Sequence, residues 1–240
     1  MFRNNKIKLD CYTYNKKLID LQPLQTRKNN PPWWKKLKPL YKVLNTKNGI
    51  QTPTPTIKAC PGIINYLRTP VVINLWADII VKVFPDGRLH VGEPMHSAGQ
   101  GLANLHDEKQ YQNHIWKDRS VLKLIAPWHI VADKPVDFLL ADPYYHTDDL
   151  RDNEVEVAPG VVSLYDQHTI NVFLTFKRKE EPYEVYLKYN TPVMAMFPMT
   201  EKDIEIEMHH TDRTSWEDIC DIFPATFLGR YHTRKRAFKN

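Results

Sequence analysis

The sequence predicts a mainly β protein, a β-sandwich-type domain with an extended N-terminal arm and a short C-terminal helix. Three observations carry that expectation. Short stretches rich in Val, Ile, Thr and aromatic residues recur along the chain, each closed by turn residues, a rhythm that belongs to sandwiches and barrels. Eighteen Pro against eight Gly suits rigid turns and strand ends better than flexible linkers. Clean amphipathic helical periodicity surfaces near the end of the chain, over a few turns only.

Lys6 to Tyr14 alternates, with Ile7, Leu9 and Cys11 on one face and Lys6, Lys8 and Asp10 on the other, and reads as a short strand. Residues 21–56 read as irregular, because Pro23, Pro31, Pro32, Pro39, Pro53 and Pro55 interrupt both ladders and helices. Within them, Pro31-Pro-Trp-Trp ends in Trp33 and Trp34, a pair too apolar to sit fully in water. This segment is expected to be an arm strapped onto a surface, either the chain's own core or a partner's.

Cys60 to Arg68 suits one short helix. Val71 to Phe84 is dense in Val and Ile and reads as a strand, followed by the turn Pro85-Asp86-Gly87 and a return strand, Arg88 to Val91. Residues 92–118 are expected to be a long polar loop. Further strands are expected at Val121–Val131, Val136–Leu140, Glu154–Val162, Thr169–Lys177, Tyr183–Lys188, Pro192–Pro198 and Asp203–Met208. Ser215 then provides a helix cap with acids in the first turn. Trp216, Ile219, Cys220 and Phe223 follow at helical spacing until Pro224. Three regions result: 1–56, an N-terminal strand and basic arm; 57–229, the β domain; 230–240, a basic tail.

At 240 residues and 42% apolar content, one main domain with a real core is expected. No apolar run approaches the ~20 residues of a membrane span, and the N-terminus lacks the apolar stretch of a signal peptide, so no membrane partner is expected. Cys11, Cys60 and Cys220 are odd in number and far apart, which argues for reduced thiols rather than a disulfide framework or zinc site. Charge is unevenly spread. Residues 1–47 hold 12 Lys/Arg and 2 Asp/Glu, a net of +10; residues 230–240 hold five Lys/Arg and no acid, a net of +5. The total is +5, so residues 48–229 carry −10. Basic arms on an acidic body suit docking onto acidic neighbours or nucleic acid, through Trp33, Trp34, Lys35 and Lys36 at one end and Arg234, Lys235 and Arg236 at the other.

Catalytic motifs are sparse. There is no P-loop, GxGxxG, GxSxG or HExxH. His146-Thr147-Asp148 is an HxD triplet of the kind that, with a distal His such as His209 or His210, forms a facial iron site; Arg213 would then hold an acidic co-substrate. One such triplet is unsurprising in a chain with ten His and 28 acids, and the same residues read as a plain polar loop. His209 and His210 are adjacent on a strand and point to opposite faces, so they cannot readily chelate one ion with Asp212. His96, His106 and His114 fall in the long loop without ligand spacing. No cofactor is expected.

Two resemblances add to this reading. The run Pro159-Gly-Val-Val-Ser-Leu-Tyr-Asp, followed by strands at 169–177 and 183–188 and then Asn190-Thr-Pro-Val-Met-Ala, resembles the dUTPase-type β-clip over about 40 residues. That resemblance implies a nucleoside pocket around Pro159, Gly160, Ser163, Tyr165 and Asp166. The family's catalytic carboxylate falls at Ser163, whose hydroxyl cannot act as general base at neutral pH. The family's turn Gly falls at Asn190, a residue that still tolerates positive φ. The turn Gln falls at Ala195, and the Gly-rich phosphate-binding tail is absent, so such a clip would be catalytically silent.

The second resemblance runs from residue 31 onward. Pro-Trp-Trp, Thr56-Ile-Lys-Ala-Cys-Pro-Gly, Leu75-Trp-Ala-Asp, Lys123-Leu-Ile-Ala-Pro-Trp, Pro159-Gly-Val-Val and Thr191-Pro-Val-Met-Ala-Met-Phe-Pro occur in the order of an uncharacterised family of tailed phages, notably T4-like cyanophages, and some bacteria. The expectation is a non-enzymatic virion or assembly protein, located in the virion or the host cytoplasm. Its expected partners are other phage structural proteins and copies of itself, a trimer included, with nucleic acid as a further partner through the basic ends. The alternatives are a divergent nucleotide binder or an iron-dependent oxygenase.

Overall fold

The computed structural model describes residues 6–22, 24, 30–44, 49–92, 103–105, 116–165 and 169–212. The expected C-terminal helix, Arg234–Arg236, Asp166, Arg213 and the loop histidines lie outside those residues. No described helix is long and apolar enough to cross a membrane.

The fold is mainly β. In chain order the strands are β1 (Lys6–Thr13), β2 (Leu40–Leu44), β3 (Gln51–Pro55), β4 (Val71–Asn74), β5 (Ile79–Val83), β6 (Leu89–Val91), β7 (Ala103–Leu105) and β8 (Arg119–Ala132). They continue with β9 (Asp137–Ala141), β10 (Val155–Val157), β11 (Gly160–Ser163), β12 (Thr169–Lys177), β13 (Tyr183–Leu187), β14 (Pro192–Pro198) and β15 (Asp203–His210). Among the described residues four short α-helices accompany them, α1 (Lys16–Leu21), α2 (Pro32–Lys36), α3 (Pro61–Arg68) and α4 (Asp149–Asp152), with a 3-10 turn at Ile57–Ala59.

The largest sheet runs β10-β12-β8-β1-β15, with β7 also on β8. A second sheet runs β11-β9-β14-β4, a third β13-β5-β6, and β2-β3 forms a separate hairpin. Strand β8 spans 14 residues and is the spine. One edge pairs with β12; the other holds β7 at Leu122–Leu124 and β1 at His129–Ala132. Pro127, which has no N–H, falls between those two segments and within the register shift opposite β12, so this central strand loses no ladder bond to it.

Three sheets share one core. Leu9, Leu122, Leu124, Val172 and Leu174 come from the first, Ile73 and Phe138 from the second, and Ile79, Val81 and Val185 from the third. Alternation explains the assignment: in β12, Ile170, Val172, Leu174 and Phe176 point inward at every second position. β1 is an integral strand of the body, flanked by β8 and by β15 in parallel. Its buried Ile7, Leu9, Cys11 and Thr13 separate it from the arm that follows.

Two expected strands are divided in the structure. The run from Val71 to Phe84 breaks into β4 and β5, which lie in different sheets. Glu154–Val162 breaks at Ala158-Pro159 into β10 and β11, also in different sheets. Proline cannot extend the β10 ladder, so the chain changes sheets there.

Candidate functional site

The arm is where the chain departs most from a closed globule. Pro32 opens α2 at its first turn, where a missing N–H costs nothing. α2 then places Trp34 in the body, 5% exposed, and Trp33 half-buried beside it, with the two indoles edge-to-face at 5.5 Å. Trp33 Nε1 donates to the Tyr145 carbonyl at 2.9 Å. Tyr145 packs edge-on against Tyr66 of α3, and Tyr66 lies 4.9 Å from Phe197 of β14. The two tryptophans therefore fasten the arm to the chain's own body, one of the two surfaces expected for it. Lys35 and Lys36, in the last turn of the same helix, are exposed as a docking role requires.

Beyond this anchor, β2 and β3 form a hairpin in which nine of ten residues are exposed and Thr54 is intermediate. Leu40 is 52% exposed, Tyr41 52%, Val43 41% and Leu44 57%, and Ile50 and Ile57 at its ends are 59% and 47% exposed. Leu40, Leu44, Pro53 and Pro55 share one face; Tyr41 and Val43 share the other. A two-stranded ribbon with no packed face is marginal on its own in water, and apolar residues on both faces are what a covered ribbon needs. Its base is tied by Thr56, whose hydroxyl donates to the Lys38 carbonyl at 2.7 Å, and by Lys58, whose ammonium donates to the Leu37 carbonyl at 2.7 Å. No Asp or Glu occurs between Asp20 and Asp78, so the arm is purely cationic. The hairpin residues were not singled out by sequence reasoning, because Pro53 and Pro55 read as strand breakers.

The expected nucleoside pocket sits on β11. Gly160 to Ser163 pairs antiparallel with β9, with Ser163 opposite Asp137. Pro159 is exposed, Gly160 and Ser163 are partly exposed, and Tyr165 is half-buried against the core. Strands β12 and β13 belong to different sheets and do not pair with each other. Asn190 takes φ of 69°, the left-handed conformation read for that turn. Its Oδ1 accepts from Gln22 Nε2 at 3.2 Å and from Asn74 Nδ2 at 3.0 Å, and its N–H donates to the Leu75 carbonyl at 2.7 Å.

Among the described residues, the expected iron ligands His146, Asp148 and His209 do not form a group close enough to share an ion. His146 is buried near Tyr66, and Asp148 is ion-paired with Arg151. His209 lies on β15, where its Nε2 is 2.8 Å from Asp10 Oδ1 and its ring stacks on Tyr12 at 4.9 Å. Among the described residues, the group of acidic and His side chains close enough to share an ion is instead Asp10, Glu207 and His209. The Lys8 ammonium already sits there, 3.0 Å from Asp10 and 2.5 Å from Glu207. Burial alone would raise the Asp10 pKa, but hydrogen bonds from His209 and Lys8 outweigh it and hold the carboxyl below its ordinary range.

A cavity of about 370 Å³ opens among Arg119, Asp142, Tyr144, Arg151, Glu154 and Lys177. Its cations are held within the chain. Arg119 donates to Thr175 Oγ1, the Thr175 carbonyl and the Glu154 carbonyl, and pairs with Glu156. Arg151 pairs with Asp148 and lies over the Tyr144 ring, and Lys177 is 3.9 Å from Glu154. Glu154 has φ of 55° because it follows the C-cap of α4, a position that commonly turns left-handed. Burial raises the Asp142 carboxyl, aided by Glu156 and opposed by the Val157 N–H and Arg151. This is a charge-balanced cleft bracing β10 against β8 and β12, without a nucleophile–base pair.

No family model matches the chain, and no curated protein is similar to it; the phage-family and β-clip resemblances rest on their motifs.

Proposed function

We propose that the chain is a non-enzymatic assembly protein, in the setting of a tailed-phage virion, that docks onto neighbouring protein subunits through its N-terminal arm. The observation that carries this reading is the exposed hairpin β2-β3. It presents Leu40, Tyr41, Val43 and Leu44 to solvent on a segment with lysines and no acid. Exposed apolar residues on both faces of a ribbon point to a partner that covers it. The lysines add attraction to an acidic surface. The anchor formed by Trp33 and Trp34 on the body would transmit load from the docked ribbon to the core.

The test is made on particles. Mass spectrometry of purified phage is expected to find the chain at stoichiometric level, and a chain lacking residues 40–55 is expected to be left out of particles. A hairpin-deleted chain that enters particles as well as the full chain would contradict the reading.

A further inference from the structure

Resting on the docking reading, we infer that the hairpin docks by strand addition: β2 of one copy pairs along the free edge of β15 in a second copy of this chain.

The hairpin's own hydrogen bonds decide which edge is open. The Thr56 N–H donates to the Pro39 carbonyl at 3.0 Å, so 39 and 56 are a hydrogen-bonded pair. Antiparallel pairs alternate, which makes Tyr41–Thr54 and Val43–Thr52 bonded pairs and leaves Leu40–Pro55, Lys42–Pro53 and Leu44–Gln51 non-bonded. Residues of a non-bonded pair aim their main-chain groups away from the partner strand. On β3 these residues include Pro53 and Pro55, which have no N–H, so that edge is blocked to a further strand. On β2 they are Leu40, Lys42 and Leu44, each with an N–H and a C=O facing outward. The ribbon has one closed edge and one open edge.

The receiving edge is chosen by length, pattern and charge. Among the described residues β15 ends the large sheet, with β1 on one side and no strand on the other. At eight residues it is the longest such end strand, against three to five for β4, β6, β10, β11 and β13. The Thr211 N–H bonds the Thr13 carbonyl, which fixes the parity of the parallel pair and leaves Ile204, Ile206 and Met208 with outward main-chain groups. Three alternate outward residues on β15 thus face three on β2. In an antiparallel addition Leu40, Lys42 and Leu44 would then lie in the row of Ile204, Ile206 and Met208, all only partly buried. On the other face, where Tyr41 and Val43 would lie, Asp203, Glu205 and Glu207 make this edge acidic, with Glu205 and Glu207 still more than half exposed beside Lys6 and Lys8. The second copy offers the arm an acidic partner, since residues 48–229 carry −10 while residues 35–47 hold five lysines and no acid. A β2-on-β15 contact is either exchanged reciprocally in a two-fold dimer or passed head to tail into a ring or a filament.

The test uses full-length protein with Cys60 and Cys220 replaced by Ser. Chains bearing Val43→Cys are mixed with chains bearing Glu205→Cys or Glu207→Cys under mild oxidation. A disulfide-linked dimer that forms only in the mixtures is the expected result, because side chains of adjoining non-bonded pairs approach closely enough to bridge. A second pair of variants separates strand addition from side-chain docking. Lys42→Pro removes the outward N–H and no bond within the hairpin, whereas Lys42→Ala removes only charge. Self-association is expected to weaken ~10-fold more in Lys42→Pro than in Lys42→Ala, the worth of about one backbone hydrogen bond. Equal effects of the two would overturn strand addition. Absence of every β2–β15 cross-link, in a protein whose self-association still needs the hairpin, would overturn β15 as the seat and leave docking through the arm standing. A full-length chain that stays monomeric at all concentrations while its hairpin captures a different subunit would overturn the second copy as occupant.

Discussion

Trp33 and Tyr145 are joined by a 2.9 Å hydrogen bond from the indole N–H to the main-chain carbonyl, and this contact ties the arm to the loop after β9. Beneath it, Trp34 is buried. The two neighbours should therefore differ sharply when cut back. Trp34→Ala is expected to lower stability by ~3–5 kcal/mol, as loss of a buried aromatic does. Trp33→Phe keeps the packing, loses one hydrogen bond, and should cost about 1 kcal/mol. Urea unfolding of the two variants checks the order.

Thr56 supports the hairpin from below through its hydroxyl bond to the Lys38 carbonyl and the Lys58 N–H that its Oγ1 accepts at 3.3 Å. Thr56→Ala is expected to let the ribbon open without unfolding the body. Hydrogen exchange at the Tyr41 and Val43 amides should speed ~10-fold, matching about one hydrogen bond, while amides of β8 and β12 keep their protection.

Much of the body was legible, and the reasons are specific. The bounds of β12 and β14 follow directly from alternation closed by polar turns. The break between β4 and β5 was not visible, because Leu75 and Trp76 in the gap are as apolar and as buried as the strands they separate. The hairpin was hidden by Pro53 and Pro55, which disfavour a strand until their nitrogens are seen to face an unpaired edge. The pairing of Asp10 with His209, 199 residues apart, depends on β15 returning beside β1, which no local pattern announces.

Asp10 sets an acid dependence. Its carboxyl is held below its ordinary range in the folded state, so its contribution is present above the unfolded pKa of about 3.9 and fades as pH falls through the folded value. Asp10→Asn should therefore be less stable than the native chain at pH 7, with the difference shrinking toward pH ~3. Thermal unfolding across that range checks the sign; a difference that grows on acidification would contradict it.

Asn190 is held left-handed by its turn and serves Gln22 and Asn74 through its side chain. Asn190→Gly keeps the backbone and loses the bonds; Asn190→Ala loses both. The Ala variant is expected to be less stable than the Gly variant by ~1 kcal/mol, the cost of a Cβ in that conformation. Calorimetry on the two proteins gives the comparison.

The most direct measurement of docking through the arm is light scattering, paired with thermal unfolding, on the full chain and on one whose residues 40–55 are replaced by a short Gly-Ser link. The hairpin contributes none of the buried core, so the body is expected to melt at the same temperature while self-association is lost. An intact melt with self-association unchanged would contradict the arm as the docking element.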